Sequence, residues 1–141
     1  MDYREAYEKA LQLLNVRFLS EGELKAKLCR RGVDDDVLKD VVAALEGAHF
    51  LDDHRLARDV YRYYACKGQY GHLYIVNRLR RRCLPVPEDV ERPDEYALAG
   101  NLVKRKFSYR ADEARKAARF LQYRGFSPSV IRDVLEDFTV H

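Results

Sequence analysis

The sequence predicts an all-α protein, an elongated array of three tandem three-helix repeats. Three observations carry that expectation. Apolar residues recur at helical spacing along most of the chain, and no alternating stretch of strand length survives beside them. Two distant segments also repeat the same helix stop, helix start and apolar stripe.

The elements follow in order. A first helix is expected over residues 3–17 and a second over 20–31. Ser20 with Glu23 reads as a capping box: the hydroxyl accepts a free amide and the carboxylate reaches back to the cap. Leu24 and Leu28 stripe that helix, Arg30 and Arg31 suit its negative end, and Gly32 stops it. Asp34 is a cap-type residue for a third helix over 34–48, where Val37, Leu38, Val41, Val42 and Leu45 share one face. Tyr61 to Tyr64 is β-prone but lies in a helical frame set by Leu56, Ala57, Val60 and Tyr64. Pro85, Pro87 and Pro93 cluster in a broken, acidic stretch that reads as a connector.

A shift of 93 positions carries Leu28 onto Leu121, Arg31 onto Arg124 and Gly32 onto Gly125. The stripe of the third helix lands on Val130, Ile131, Val134, Leu135 and Phe138. Asp34 lands on Ser127, with Pro128 at the first helical position. A weaker copy places Leu79, Arg82 and Cys83 where Leu121, Arg124 and Gly125 stand, with Cys83 replacing the glycine and prolines cutting its third helix short. The expected repeats span 1–51, 52–93 and 94–141. A repeat of this size has little core of its own, so each is expected to lean on its neighbours.

Charge is sorted along the chain. Residues 34–53 hold seven acids against Lys39, residues 62–82 hold Arg62, Lys67, Arg78, Arg80, Arg81 and Arg82 with no acid, and residues 101–125 carry eight basic and two acidic side chains. Such blocks make local fields that a net charge of +3 hides. They suit a polyanionic or mixed-charge partner. No apolar run reaches the roughly 20 residues of a membrane span, and no signal segment opens the sequence. The expectation is a cytoplasmic monomer with no membrane association. Cys29, Cys66 and Cys83 are odd in number and widely spaced, which suggests free thiols and neither a disulfide framework nor a zinc site.

The residues point to a binding protein and not an enzyme, with no catalytic residue and no cofactor. Gly68 and Gly71 miss the spacing of a phosphate loop, and no nucleophile elbow or paired-histidine metal motif occurs. His49, Asp52, Asp53 and His54 are the one metal-like cluster, but a helix start explains the two acids better, so no metal is expected. Tyr61, Tyr63, Tyr64, Tyr70 and Tyr74 interleave with Arg62, Lys67 and Arg78, a pattern that stacks bases or packs a core. Helical spacing assigns most of them to the core and leaves Tyr63 and Tyr70 as candidates for exposed contact. Arg78, Arg80, Arg81 and Arg82 point around a helix, so no single salt bridge satisfies them all. The last repeat adds Lys104, Arg105, Lys106, Arg110, Arg115, Lys116 and Arg119.

Three landmarks stand out: the run from Leu14 to Leu24 with Lys27-Leu28-Cys29-Arg30-Arg31-Gly32, then Leu51-Asp52-Asp53 with Leu56-Ala57, then Phe120-Leu121-Gln122-Tyr123-Arg124-Gly125-Phe126 with Ile131. Together they resemble the RecX family, regulators of the RecA recombinase. They stand in the family's order along the whole chain. The middle repeat departs from the pattern: Gly71, Ile75 and Leu79 are present, but the family's Glu and second Gly are missing. The resemblance implies a protein that lies in the groove of the RecA–DNA filament. It would modulate, most often inhibit, RecA's recombinase, ATPase and coprotease activities in DNA repair, recombination and the SOS response. The contact residues expected are Arg78, Arg80, Arg81, Arg82, Lys104, Arg105, Lys106, Tyr63 and Tyr70, with weak phosphate contact to DNA. Asp52 and Asp53 are expected to set a joint between repeats. The alternative is a helical protein that binds single- or double-stranded DNA directly through its basic helices.

Overall fold

The computed structural model describes residues 1–107 and 111–140, with side chains throughout except at 111 and 138–140. Arg110 and the ring of Phe138 therefore lie outside the described residues. Among the described residues there are eight α-helices, one short 3-10 turn and no strand. They are α1 (Tyr3–Val16), α2 (Glu21–Arg30), α3 (Asp35–Gly47), α4 (Asp53–Ala65), α5 (His72–Arg81), α6 (Glu95–Lys106), α7 (Ala114–Tyr123), preceded by the 3-10 turn Ala111–Glu113, and α8 (Pro128–Val140). Residues 82–94 contain no helix. Three prolines fix the backbone there and remove three amide donors, so the middle repeat holds α4 and α5 followed by a non-helical segment.

Sequence-encoded caps place several helix starts. Asp2 accepts the Glu5 amide at 2.8 Å, and Asp94 accepts that of Ala97 at 3.2 Å. The capping box of α2 is complete: the Ser20 hydroxyl accepts the Glu23 amide at 3.0 Å, and Glu23 accepts the Ser20 amide at 2.9 Å. Ser20 is fully buried, so Ser20→Ala removes a bond that water does not replace. A loss of about 1–2 kcal/mol is expected in urea unfolding. Asp34 behaves otherwise than the sequence suggests. It occupies the cap position of α3, but its side chain makes no cap hydrogen bond. Asp34, Asp35 and Asp36 are all exposed and supply negative charge to the helix start without a specific bond.

The second helix of every repeat ends in one and the same device. The amides of Val33, Leu84 and Phe126 reach back to the carbonyls of Leu28, Leu79 and Leu121 at 3.2, 2.9 and 3.2 Å. Those of Gly32, Cys83 and Gly125 reach the carbonyls of Cys29, Arg80 and Gln122. This is a Schellman stop, which needs a left-handed residue at its centre. Gly32 and Gly125 supply it at φ 85° and 84°, and Cys83 adopts it at φ 58° in spite of its side chain.

The chain divides into two compact units. The first comprises Met1–Asp59 with Leu79–Pro87. In it α1, α2 and α3 pack on one another around Ala6, Ala10, Leu24, Leu28, Val41 and Leu45. Two alanines one turn apart on α1 let α3 approach closely. The second comprises Val60–Arg78 with Glu88–His141. Here α6 and α7 both pack on α8, around Ala99, Val103, Ala117, Leu121, Phe126 and Val134. Leu28 and Leu121, equivalent in the sequence repeat, are both fully buried.

Candidate partner-binding surface

Two joints fix the helices that carry the basic residues. In the first compact unit the N-terminus of α2 meets the turn after α5. Arg82 donates to the Phe18 carbonyl at 2.8 Å and to the Glu23 carboxylate at 3.1 and 3.3 Å. Gly22 lies so close to the turn that a Cβ on it would stand 2.6 Å from Cys83 Cβ. Burial would raise the Glu23 pKa, but the Arg82 bonds, the Ser20 amide and the Arg17 charge outweigh it and hold the carboxyl below its ordinary range. Asp52 caps α4 by accepting the Arg55 amide at 3.1 Å. Asp53 accepts the Glu21 amide at 2.9 Å and so ties the start of α4 to the start of α2.

The second compact unit contains the same joint one repeat later. The N-terminus of α5 meets the turn after α7: the Gly71 amide donates to the Arg124 carbonyl at 2.7 Å, and the Leu73 amide to the Gly125 carbonyl at 3.2 Å. Arg124 stands where Arg82 stands in the first joint, and its Nη1 donates to Gln69 Oε1 at 3.0 Å. Gln69 is the repeat equivalent of Phe18. The third turn of this kind, Arg31–Gly32–Val33, has no such neighbour among the described residues: a Cβ on Gly32 would meet nothing within 4 Å, and the Arg31 side chain donates to the Lys27 carbonyl of its own helix.

Around the second joint rings and cations alternate. Tyr70 and Tyr74 stack at 4.0 Å with 5° between planes, and Tyr64 sets its edge against both at 6.0 and 5.9 Å. Lys67 Nζ lies 4.4 Å from the centre of the Tyr63 ring, and the Tyr63 bond holds its pKa above the ordinary lysine value. Arg78 donates to the Tyr74 hydroxyl at 2.8 and 3.1 Å. Burial would raise that phenol, but the Arg78 and Tyr70 hydrogen bonds pull it below its usual value. Arg124 lies over Tyr70 at 5.5 Å and Phe120 at 5.0 Å, and Lys106 over Phe120 at 4.5 Å. Each such pair at an exposed site contributes about 0.5–1 kcal/mol. The set also presents fixed ring faces and cations to solvent.

The residues expected to make contact therefore fall into three groups. Arg78, Lys106 and Tyr70 belong to this cation–aromatic set, together with Tyr63, which is 55% exposed. Arg80, Arg81, Lys104 and Arg105 are exposed, and their side chains make no hydrogen bond or ion pair among the described residues. Arg82 is held inside the first joint and is only 24% exposed. Arg124 and Phe120 join the surface although neither is among the contact residues that the sequence suggests; in the sequence the signal for Arg124 is its equivalence with Arg82. Tyr61 is fully buried and pairs its hydroxyl with His72 Nδ1 at 2.9 Å. His49, Asp52, Asp53 and His54 are not brought together as ligands: among the described residues no group of three or more His, Cys, Asp or Glu side chains is placed to hold a metal ion. Cys29, Cys66 and Cys83 are exposed free thiols. No helix is long and apolar enough to cross a membrane, among the described residues.

His72 gives the second unit a pH dependence. Burial and the Arg92 charge push its pKa below the ordinary value of about 6.5, against the pull of Glu95. The folded state thus favours the neutral ring, whose Nδ1 shares a hydrogen bond with the Tyr61 hydroxyl. Stability is full above about pH 6.5 and falls as pH drops through the folded value. The urea midpoint is expected to decline between pH 7.5 and 5.0, and to decline less in His72→Gln.

The fold and this surface define a class: an all-helical protein of three-helix repeats with a cationic, aromatic face. Two family profiles match it, "RecX, first three-helix domain" over residues 6–45 and "RecX, third three-helix domain" over residues 93–135. The regulatory protein RecX of Pelodictyon phaeoclathratiforme is 31% identical, over 89% of this chain and 84% of that protein. The one from Geobacillus kaustophilus is 28% identical over 99% of this chain, which spans only 56% of its length. The crystal structure of RecX from Lactobacillus salivarius superposes with a TM-score of 0.79 at 21% identity, covering 99% of this chain and 98% of the other, which is a likeness of fold. The chain belongs to the RecX family of regulatory proteins.

Proposed function

We propose that the chain binds the RecA recombinase filament along its groove and inhibits it, lowering recombinase, ATPase and coprotease activity in DNA repair and recombination. The observation that carries this reading is membership of the RecX family, matched at both ends of the chain. The acid-free stretch over residues 62–82 supports it, because it offers cations to an anionic filament. Three repeats, near 1–51, 52–93 and 94–141, give three places of contact, and weak linked contacts add through effective concentration. Arg80, Arg81, Lys104 and Arg105 are the contacts favoured by exposure. Arg78, Lys106, Tyr63 and Tyr70 act within the cation–aromatic set, and Arg82 acts chiefly by fixing the helix that bears Arg80 and Arg81. The test is co-sedimentation with RecA filaments on single-stranded DNA: saturable binding supports the proposal, and recovery only in the supernatant sinks it.

A second reading, direct DNA binding, is favoured by the Tyr63–Lys67 pair, in which an exposed ring and a cation sit side by side as a base and its phosphate require. It predicts tight binding to bare DNA with a steep salt dependence.

A further inference from the structure

We infer that the groove between α5 and the α7–α8 pair of the second compact unit is a docking site for an acidic peptide segment that carries a bulky apolar side chain. The groove encloses about 570 Å³, within the range of sites that hold a ligand. Its apolar lining includes Leu73, Phe126 and Ile131. Leu73 is 47% exposed and Tyr123 84% exposed, so two large apolar side chains stand open to water at the mouth of one depression. Single exposed apolar residues need no explanation, but these two line the same depression, where one apolar side chain of a ligand would cover both.

Charge selects the occupant. None of the residues that line the groove is an acid, although α8 carries Asp133, Glu136 and Asp137 just beyond the lining. Arg119 lies with Tyr123 on the adjoining rim, and Arg132 lines the groove itself. The neighbouring Asp133 touches Arg132 at 3.7 Å with both side chains exposed, and such a pair holds an arginine weakly. An aliphatic, cation-rimmed groove fits an apolar side chain flanked by carboxylates. The lining also holds the rings of Tyr74, Tyr123 and Phe126, on which a base could stack, but Leu73, Pro128 and Ile131 between them favour an aliphatic or bulky apolar side chain, and an oligothymidylate probe separates the two. The occupant is defined by this chemistry alone, so the inference stands or falls apart from the RecA reading.

The experiment is fluorescence anisotropy of the full chain with a short labelled peptide of glutamates around a leucine–phenylalanine pair. An all-glutamate peptide and a labelled oligothymidylate serve as comparisons. The mixed peptide is expected to bind, and the all-glutamate peptide to bind at least about tenfold more weakly. Leu73→Asp and Arg119→Glu are each expected to weaken the mixed peptide about tenfold. Both sites are exposed, and unchanged circular dichroism shows that the variants fold. The inference is overturned if the mixed peptide fails to bind at millimolar concentration or if the all-glutamate peptide binds equally. It is also overturned if Leu73→Asp leaves the affinity unchanged, or if oligothymidylate is the probe whose binding falls with Leu73→Asp.

Discussion

Gly125→Ala is expected to cost about 3 kcal/mol or more in urea unfolding. The residue sits at φ 84°, where a side chain is already strained, and an added Cβ would lie 2.2 Å from the Tyr74 amide nitrogen and 2.4 Å from Tyr74 Cβ. These are the backbone and first side-chain carbon of a helix, so no rotamer change relieves the clash. Helix α5 must withdraw from the turn, which breaks the bonds from the Gly71 and Leu73 amides and leaves two donors unpaired. Gly32→Ala is the matched control. Its φ of 85° is the same, but nothing lies within 4 Å, so only the backbone strain of about 1–2 kcal/mol remains. Equal losses at the two glycines would show that the α5 joint is not formed as described.

If the chain acts on RecA as proposed, Arg80→Glu with Arg81→Glu is expected to weaken that action by tenfold or more while leaving the unfolding midpoint within error of the parent. Both side chains are exposed and make no hydrogen bond or ion pair among the described residues, so reversal should act on the partner alone. Arg82→Ala should do the opposite. It leaves Glu23, a partly buried carboxylate, without its main partner and should cost about 1–3 kcal/mol of stability. Titrating the effect on RecA beside the unfolding midpoint of each variant separates contact from scaffold. Loss of the RecA effect with Arg82→Ala alone, at unchanged stability, would assign Arg82 to the partner as well.

Much of the fold was legible because its signals are local. The capping box at Ser20, the helix stops at Gly32 and Gly125, and the stripe Leu38, Val41, Val42 and Leu45 each depend on residues a few positions apart. Their recurrence revealed the repeat. The joints were not legible, since Glu23 meets Arg82 across 59 positions and Gln69 meets Arg124 across 55. The four arginines from 78 to 82 looked alike in sequence. Their different fates are decided by what stands opposite each: a tyrosine hydroxyl for Arg78, a carboxylate for Arg82 and solvent for Arg80 and Arg81. The cap at Asp34 failed to form its side-chain bond for a related reason. Position made the bond available, but three adjacent exposed acids share the same helix start.

The most direct test of the proposal that this chain regulates RecA is ATP hydrolysis by RecA from the same organism on single-stranded DNA, with the chain titrated in. A fall in rate at substoichiometric chain, relieved by Arg80→Glu with Arg81→Glu, is the predicted result. An unchanged rate up to excess chain, where the filament forms normally and bare DNA is bound tightly, would contradict it and favour direct DNA binding.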